Sequence, residues 1–214
     1  MKPALAVSAG ALFIGGAALL WGATGVGPRL SSPTSVARAD PLQQVPANGR
    51  IFLTKAQLDQ ALASGAIDRP IKSLLAIRKP LRFGDYAWND VGVAAGPTWA
   101  RIDLGPQLIS VFRSGHEIGT AVIVYGSDNK QTPVGKLRIL GKDRNHRSSL
   151  YDAEMPYSLR LTDDGVSIHA SGIRWGAATH GCIGVPLDFA RRLFDATRVG
   201  DDVVIVRTPR ERPS

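Results

Sequence analysis

A chain of 214 residues with 44% hydrophobic and 21% charged side chains has room for one modest domain plus an appendage, and it is too apolar for wholesale disorder. Its single cysteine, Cys182, has no partner within the chain, which excludes a disulfide scaffold. The 26 Lys and Arg against 18 Asp and Glu give +8, but Lys2, Arg29 and Arg38 lie in an acid-free leader, leaving 23 bases against 18 acids, or +5, scattered without a basic arm, a paired-cysteine zinc module or an aromatic RNA-binding signature, so nucleic acid is not an expected partner.

Residues 4–28 (ALAVSAGALFIGGAALLWGATGVGP) are uncharged and mostly apolar, preceded by Lys2 and followed by Arg29, Pro33 and the small-residue site Ala37-Arg38-Ala39. This pattern reads as an export segment over residues 1–39. The stretch is long enough to cross a bilayer, and the Ala-x-Ala site lies well beyond the densest apolar run, Leu12 to Trp21. Cleavage after Ala39 and retention as a single membrane anchor therefore both stay open. A buried core helix is disfavoured by Gly10, Gly15, Gly16, Gly22, Gly25 and Gly27. Either fate puts the remainder in the periplasm or cell envelope, tethered to the inner membrane if the leader is kept.

Asp40 to Asn48 is a polar, Pro-rich linker. Thr54 with Gln57 three residues on forms a capping box, and Leu58, Ala61 and Leu62 with Gly65 behind them predict a short helix. Pro70 to Ile77 is expected as a second helix, and Lys79 to Pro97, broken by Gly84, Gly92, Gly96 and Pro97, as irregular chain. Residues 40–97 thus read as a linker and a small helical lead-in.

After Pro97 short alternating runs follow: Trp99–Leu104, Leu108–Arg113, Ile118–Tyr125, Val134–Leu140, Tyr157–Thr162 and Val166–His169, each bounded by turn residues. Ser114-Gly115-His116 reads as a hairpin turn. Asp188 to Ala196 is amphipathic with Ala190, Leu193 and Phe194 inward, and Asp202 to Arg207 closes as a strand. The expectation is a mainly β domain over residues 98–208 with one packed helix, followed by a tail at 209–214.

The chemistry converges on Thr179-His180-Gly181-Cys182-Ile183-Gly184-Val185-Pro186, with His169 closing the strand before it. A lone thiol in an oxidising compartment is either a small apolar filler or a used group. The Gly-rich polar surroundings and two histidines within thirteen residues favour use. A cysteine nucleophile needs a base, for which His169 is the candidate, with a main-chain carbonyl such as that of Ala170 as its orienter because no carboxylate lies nearby in sequence. Backbone N–H groups around Gly181 and Cys182 would meet the oxyanion. His180 either supports that pocket or holds the turn. A zinc site of His169, His180 and Cys182 is the rival, weakened by offering three ligands and no cysteine pair.

The run Val166 to Pro186 (VSIHASGIRWGAATHGCIGVP), with TPVG at 132–135 and MPYSLRLT at 155–162, resembles the YkuD-type L,D-transpeptidases of the bacterial cell wall. The resemblance implies a YkuD-like β-sandwich or barrel with Cys182 as acyl-accepting nucleophile, His169 as general base and acid, and Thr179, His180 and Gly181 as flanking motif positions. It implies acyl transfer on peptidoglycan stem peptides with release of a terminal D-alanine and formation of a 3-3 cross-link, without cofactor or metal. An L,D-carboxypeptidase acting on the same bond and a non-catalytic peptidoglycan-binding protein are the alternatives. The family usually carries Arg or Asn two residues after the cysteine, where this chain has Gly184. Arg174 and Trp175 could supply a cation and an aromatic wall instead, or be surface loop residues, and Tyr157 could line the donor groove or pack in the core. His146, in KDRNHRSSLYD, lies in a segment that recurs in close members, with no role implied.

Overall fold

The computed structural model describes residues 49–126, 130–148, 152–174 and 176–209. The expected export segment, the linker through Asn48 and Trp175 lie outside the described residues. No described helix is long and apolar enough to cross a membrane.

The chain runs β1 (Arg50–Phe52), α1 (Lys55–Ala63), β2 (Ser73–Leu75), β3 (Tyr86–Trp88), β4 (Thr98–Asp103), β5 (Leu108–Arg113), β6 (His116–Val122), β7 (Gly135–Arg138), β8 (Gly141–Arg147), β9 (Glu154–Arg160), β10 (Ser167–Ala170), β11 (Ile183–Val185), α2 (Leu187–Ala196) and β12 (Asp202–Val206). The strands form two sheets. The larger has the order β1-β2-β6-β5-β4-β12-β7 with β3 also on β6, and the smaller the order β11-β10-β9-β8. The mainly β architecture expected from the alternating runs is what the chain adopts.

The β5–β6 hairpin turns at Ser114 and Gly115, with φ of +51° and +85°, the left-handed pair that matches the right-handed twist of the flanking strands. At its base Ile109, Val111 and Ile118 point into the core with no exposed surface. From the smaller sheet Leu159, Ile168 and Ile183 meet them, so alternate residues of both sheets build one apolar layer. Phe189 of α2 is fully buried and meets Tyr86 and Trp88 of β3 edge to face, at 6.0 and 5.6 Å between ring centres. These contacts fix α2 across both sheets.

The lead-in differs from its expectation. The Thr54 capping box forms as predicted and starts α1, but Pro70 to Ile77 is not a helix. Its centre is β2, which pairs with β1 and touches β6 at His116. Tertiary pairing overrides local propensity here, because Leu75 N–H donates to the buried carboxylate of Glu117 at 2.8 Å and Ser73 is fully buried. The irregular stretch likewise contains β3. The lead-in therefore continues the main sheet. Strands β1, β8 and β11 were also not predicted; β8 is polar and charged along its length because it is the outer strand of the smaller sheet, where charge guards an open edge.

Candidate active site

Strands β10 and β11 run parallel, with Ile168 opposite Ile183 and His169 opposite Gly184. Side chains alternate along a strand, so with Ile168 and Ile183 turned into the core, Ser167, His169 and the residue just before β11, Cys182, share the opposite face. A parallel pair of this register is how two residues thirteen apart in sequence come to one surface.

His169 is 8% exposed, and its Nδ1 lies 2.8 Å from the Ala170 carbonyl oxygen. A carbonyl only accepts, so Nδ1 carries the proton and Nε2 the lone pair. Burial holds the imidazole below its ordinary pKa, partly offset by the bond to Ala170, with the charge of His146 adding to the depression. His169 is therefore a neutral base with its tautomer set by the main chain, the orienter expected from the sequence.

Cys182 is half-buried, and its thiol lies 3.8 Å from the Gly165 carbonyl oxygen. Burial pushes its pKa up; the Ser167 N–H and the charge of Lys130 pull it down, and Asp164 pushes it up again. The net effect holds the resting group as a thiol.

The turn before Cys182 is held at both ends. Gly181 adopts φ +99°, which a side chain tolerates poorly. Its carbonyl accepts from Thr132 Oγ1 at 2.9 Å, and Thr132 Oγ1 in turn accepts from Gly126 N–H at 2.9 Å. Thr179 donates its hydroxyl to the Cys182 carbonyl and its N–H to Tyr125. Thr179 thus braces the turn, and its polar contacts are to the main chain.

A cleft of about 500 Å³ opens over the thiol, and Cys182, His180, Lys130, His146 and Asp143 are among the residues lining it. Asp163, Asp164 and Gly165 close it from the β9–β10 turn, with Met155, Ser158 and Arg160 of β9 as its floor. Of the residues singled out from the sequence, Cys182 and His180 border the cleft, and the buried His169 is on the strand face that Cys182 shares. Arg174 is exposed on the β10–β11 loop, outside the cleft lining. Tyr157 packs on Phe194 at 5.8 Å with Arg144 over its ring, the core alternative. Lys130, Thr132, Asp143 and Arg160 were missed. Thr132 sat in the quoted TPVG run, but nothing in its spacing shows a bond to a residue 49 positions on.

Gly184 is closely surrounded. A Cβ there would lie 2.7 Å from Val124 Cγ2 and 2.8 Å from Ser171 Cβ, while Gly184 and Val124 exchange main-chain hydrogen bonds of 2.8 and 3.0 Å. The volume of a side chain at this position is already filled from two neighbouring segments. Among the described residues no group of three or more His, Cys, Asp or Glu is placed to hold a metal ion.

The family model for the YkuD L,D-transpeptidase catalytic domain matches residues 97–206, just over half of the chain. No curated protein matches significantly. Among solved structures, an L,D-transpeptidase from Stackebrandtia nassauensis is 24% identical, with a TM-score of 0.48 over 55% of this chain and 58% of that one. L,D-transpeptidase 1 of Mycobacterium tuberculosis is 24% identical, with a TM-score of 0.47 over 51% and 62%. An L,D-transpeptidase from Mycobacterium smegmatis is 19% identical, with a TM-score of 0.49 over 58% and 68%. The chain thus spans about three fifths of the length of the first two. With a matching domain model and the Thr-His-Gly-Cys turn placed beside a carbonyl-oriented histidine, the chain belongs to the YkuD family of L,D-transpeptidase catalytic domains.

Proposed function

We propose that the protein is an exported L,D-transpeptidase that cross-links peptidoglycan stem peptides through a thioester on Cys182. The observation that carries this reading is the neutral, carbonyl-oriented His169 on the same strand face as the cysteine, under an open cleft. His169 Nε2 takes the thiol proton, and the sulfur attacks the carbonyl of the L-centre of diaminopimelate. The oxyanion is met by main-chain N–H groups at Gly181 and Cys182, in a turn that Thr132 and Thr179 hold rigid. Collapse breaks the C–N bond, and His169 returns the proton to the leaving D-alanine amine. The amine of a second stem then displaces Cys182 to give the 3-3 cross-link.

The cleft matches such a substrate in charge. Stem peptides carry both carboxylates and ammonium groups, and the cleft is lined by groups of both signs: Lys130, Asp143, Asp164 and the Arg160–Asp163 ion pair at 3.3 Å. The substrate lies in the envelope, where the export segment would deliver the chain.

Incubation with tetrapeptide muropeptides tests the proposal. The parent is expected to yield dimers, and Cys182→Ala to lose at least about a thousandfold of turnover, since a nucleophile and its base act as a unit. Tripeptide monomers alone would make the enzyme a carboxypeptidase. Cross-linking that survives in Cys182→Ala would exclude the mechanism.

A further inference from the structure

His146 and Asp143 lie on β8, the outer strand of the smaller sheet, where Asp143 pairs with Ser158 and His146 with Met155. Both side chains line the cleft that holds Cys182. His146 Nδ1 lies 3.3 Å from Asp143 Oδ2. An ionised carboxylate only accepts, so Nδ1 carries the proton and Nε2 is the basic nitrogen. Besides His180, the cleft is thus lined by an imidazole that is oriented by a carboxylate, where the buried His169 is oriented by a carbonyl. His146 is close enough to His169 for its charge to disfavour protonation of that buried imidazole.

Their accessibility differs. His169 is 8% exposed, whereas the His146 side chain is 41% exposed at the open rim. A transpeptidase needs proton transfer at two places: at the sulfur and leaving group, and at the incoming amine, which arrives as an ammonium and is no nucleophile until it loses a proton. His169 serves the first place. The carboxylates of Asp143, Asp163 and Asp164 would draw an ammonium to the rim where His146 stands.

Building on the transpeptidase reading, we infer that His146, oriented by Asp143, is the catalytic base for the acceptor half-reaction. Its Nε2 takes one proton from the acceptor ammonium, and the freed amine attacks the thioester carbonyl. The C–S bond breaks, the new amide C–N bond forms, and the second amine proton returns to the Cys182 thiolate by way of His169. The remaining charged groups around His146 are Lys142, Arg144 and Arg147 on its own strand, Glu154 and Arg160 on β9, His169 on β10, and Lys130, Asp163, Asp164 and His180 on the bordering loops.

The test uses the full chain with a tetrapeptide donor, and intact-protein mass spectrometry follows the tripeptidyl adduct on Cys182. In His146→Gln the adduct should accumulate, and dimer formation should fall about 100-fold, the usual worth of a positioned base. Hydroxylamine, which needs no deprotonation at neutral pH, should discharge the adduct at the parental rate, and dimer formation should recover as pH rises towards the acceptor amine's own range. Asp143→Asn should show the same pattern more weakly, which guards against a folding defect in one variant. Parental turnover of the adduct in both variants would overturn the inference. So would loss of the adduct in His146→Gln while the parent forms it, since that places the residue in the first half-reaction. If the parent forms no adduct, the transpeptidase reading itself falls.

Discussion

At Gly184 the space for a side chain is taken by Val124 and Ser171. Gly184→Asn is therefore expected to destabilise the fold by about 1–3 kcal/mol, the cost of forcing atoms into a filled site, and to lower kcat without improving KM. Chemical denaturation alongside steady-state kinetics checks both parts, and a variant more active than the parent would mean that Val124 and Ser171 move aside. The proposed nucleophile and base could be singled out from the sequence because cysteine and histidine are scarce and their roles are few. The structure brings Cys182 and His169 to one strand face, and the Ala170 carbonyl accepts from His169 Nδ1. The supporting groups were not readable, for two different reasons. Thr132 reaches the Gly181 carbonyl only through the folded chain. Asp143 and His146 were visible as residue types, but nothing local shows that β8 edges the cleft.

At the level of elements, the helices were legible from end signals and periodicity. The Thr54–Gln57 box forms with both of its hydrogen bonds, and α2 buries Phe189, Ala190 and Leu193 on one side with Asp188 in its first turn. Lys142 adds a cation at its other end, donating to the carbonyls of Phe194 and Thr197. Strands β2 and β8 were not legible, since a three-residue strand has no period to detect and an edge strand need not alternate. What joins these elements is the Phe189 ring, which lies between β3 and the core and has no exposed surface. Phe189→Ala should cost about 3–5 kcal/mol, with the surrounding rings collapsing only in part. Thermal unfolding should show one transition at lower temperature, because the lead-in and the site-bearing sheet share this contact. A second, separate transition would show that β3 melts independently.

Across the whole molecule, the lead-in docks through a charge that the fold suppresses. The carboxyl of Glu117 on β6 is fully buried and accepts from Leu75 N–H at 2.8 Å; burial pushes its pKa up to about 6, against the opposing pull of Ser110, Leu75 and Arg50. Arg50 closes the same junction by donating to the Glu117 carbonyl at 2.5 Å and to the carbonyl of Asn89. A carboxyl whose pKa is raised on folding binds its proton more readily in the folded chain, so its contribution becomes more favourable as pH falls through 6 and levels off below the unfolded value of 4.5. The difference amounts to about 2 kcal/mol between pH 7.5 and pH 4. His116 and His169 act oppositely, since both are held low by burial and resist the charge they must take up in acid. Comparison of the parent with Glu117→Gln separates these contributions: glutamine keeps an acceptor for Leu75 N–H and can donate to Ser110, yet does not titrate. The variant should be more stable than the parent at pH 7.5 by up to about 2 kcal/mol, with the two converging by pH 4. Urea midpoints across that range measure the gap, and a constant difference at every pH would mean that Glu117 titrates no differently in the folded and unfolded chains.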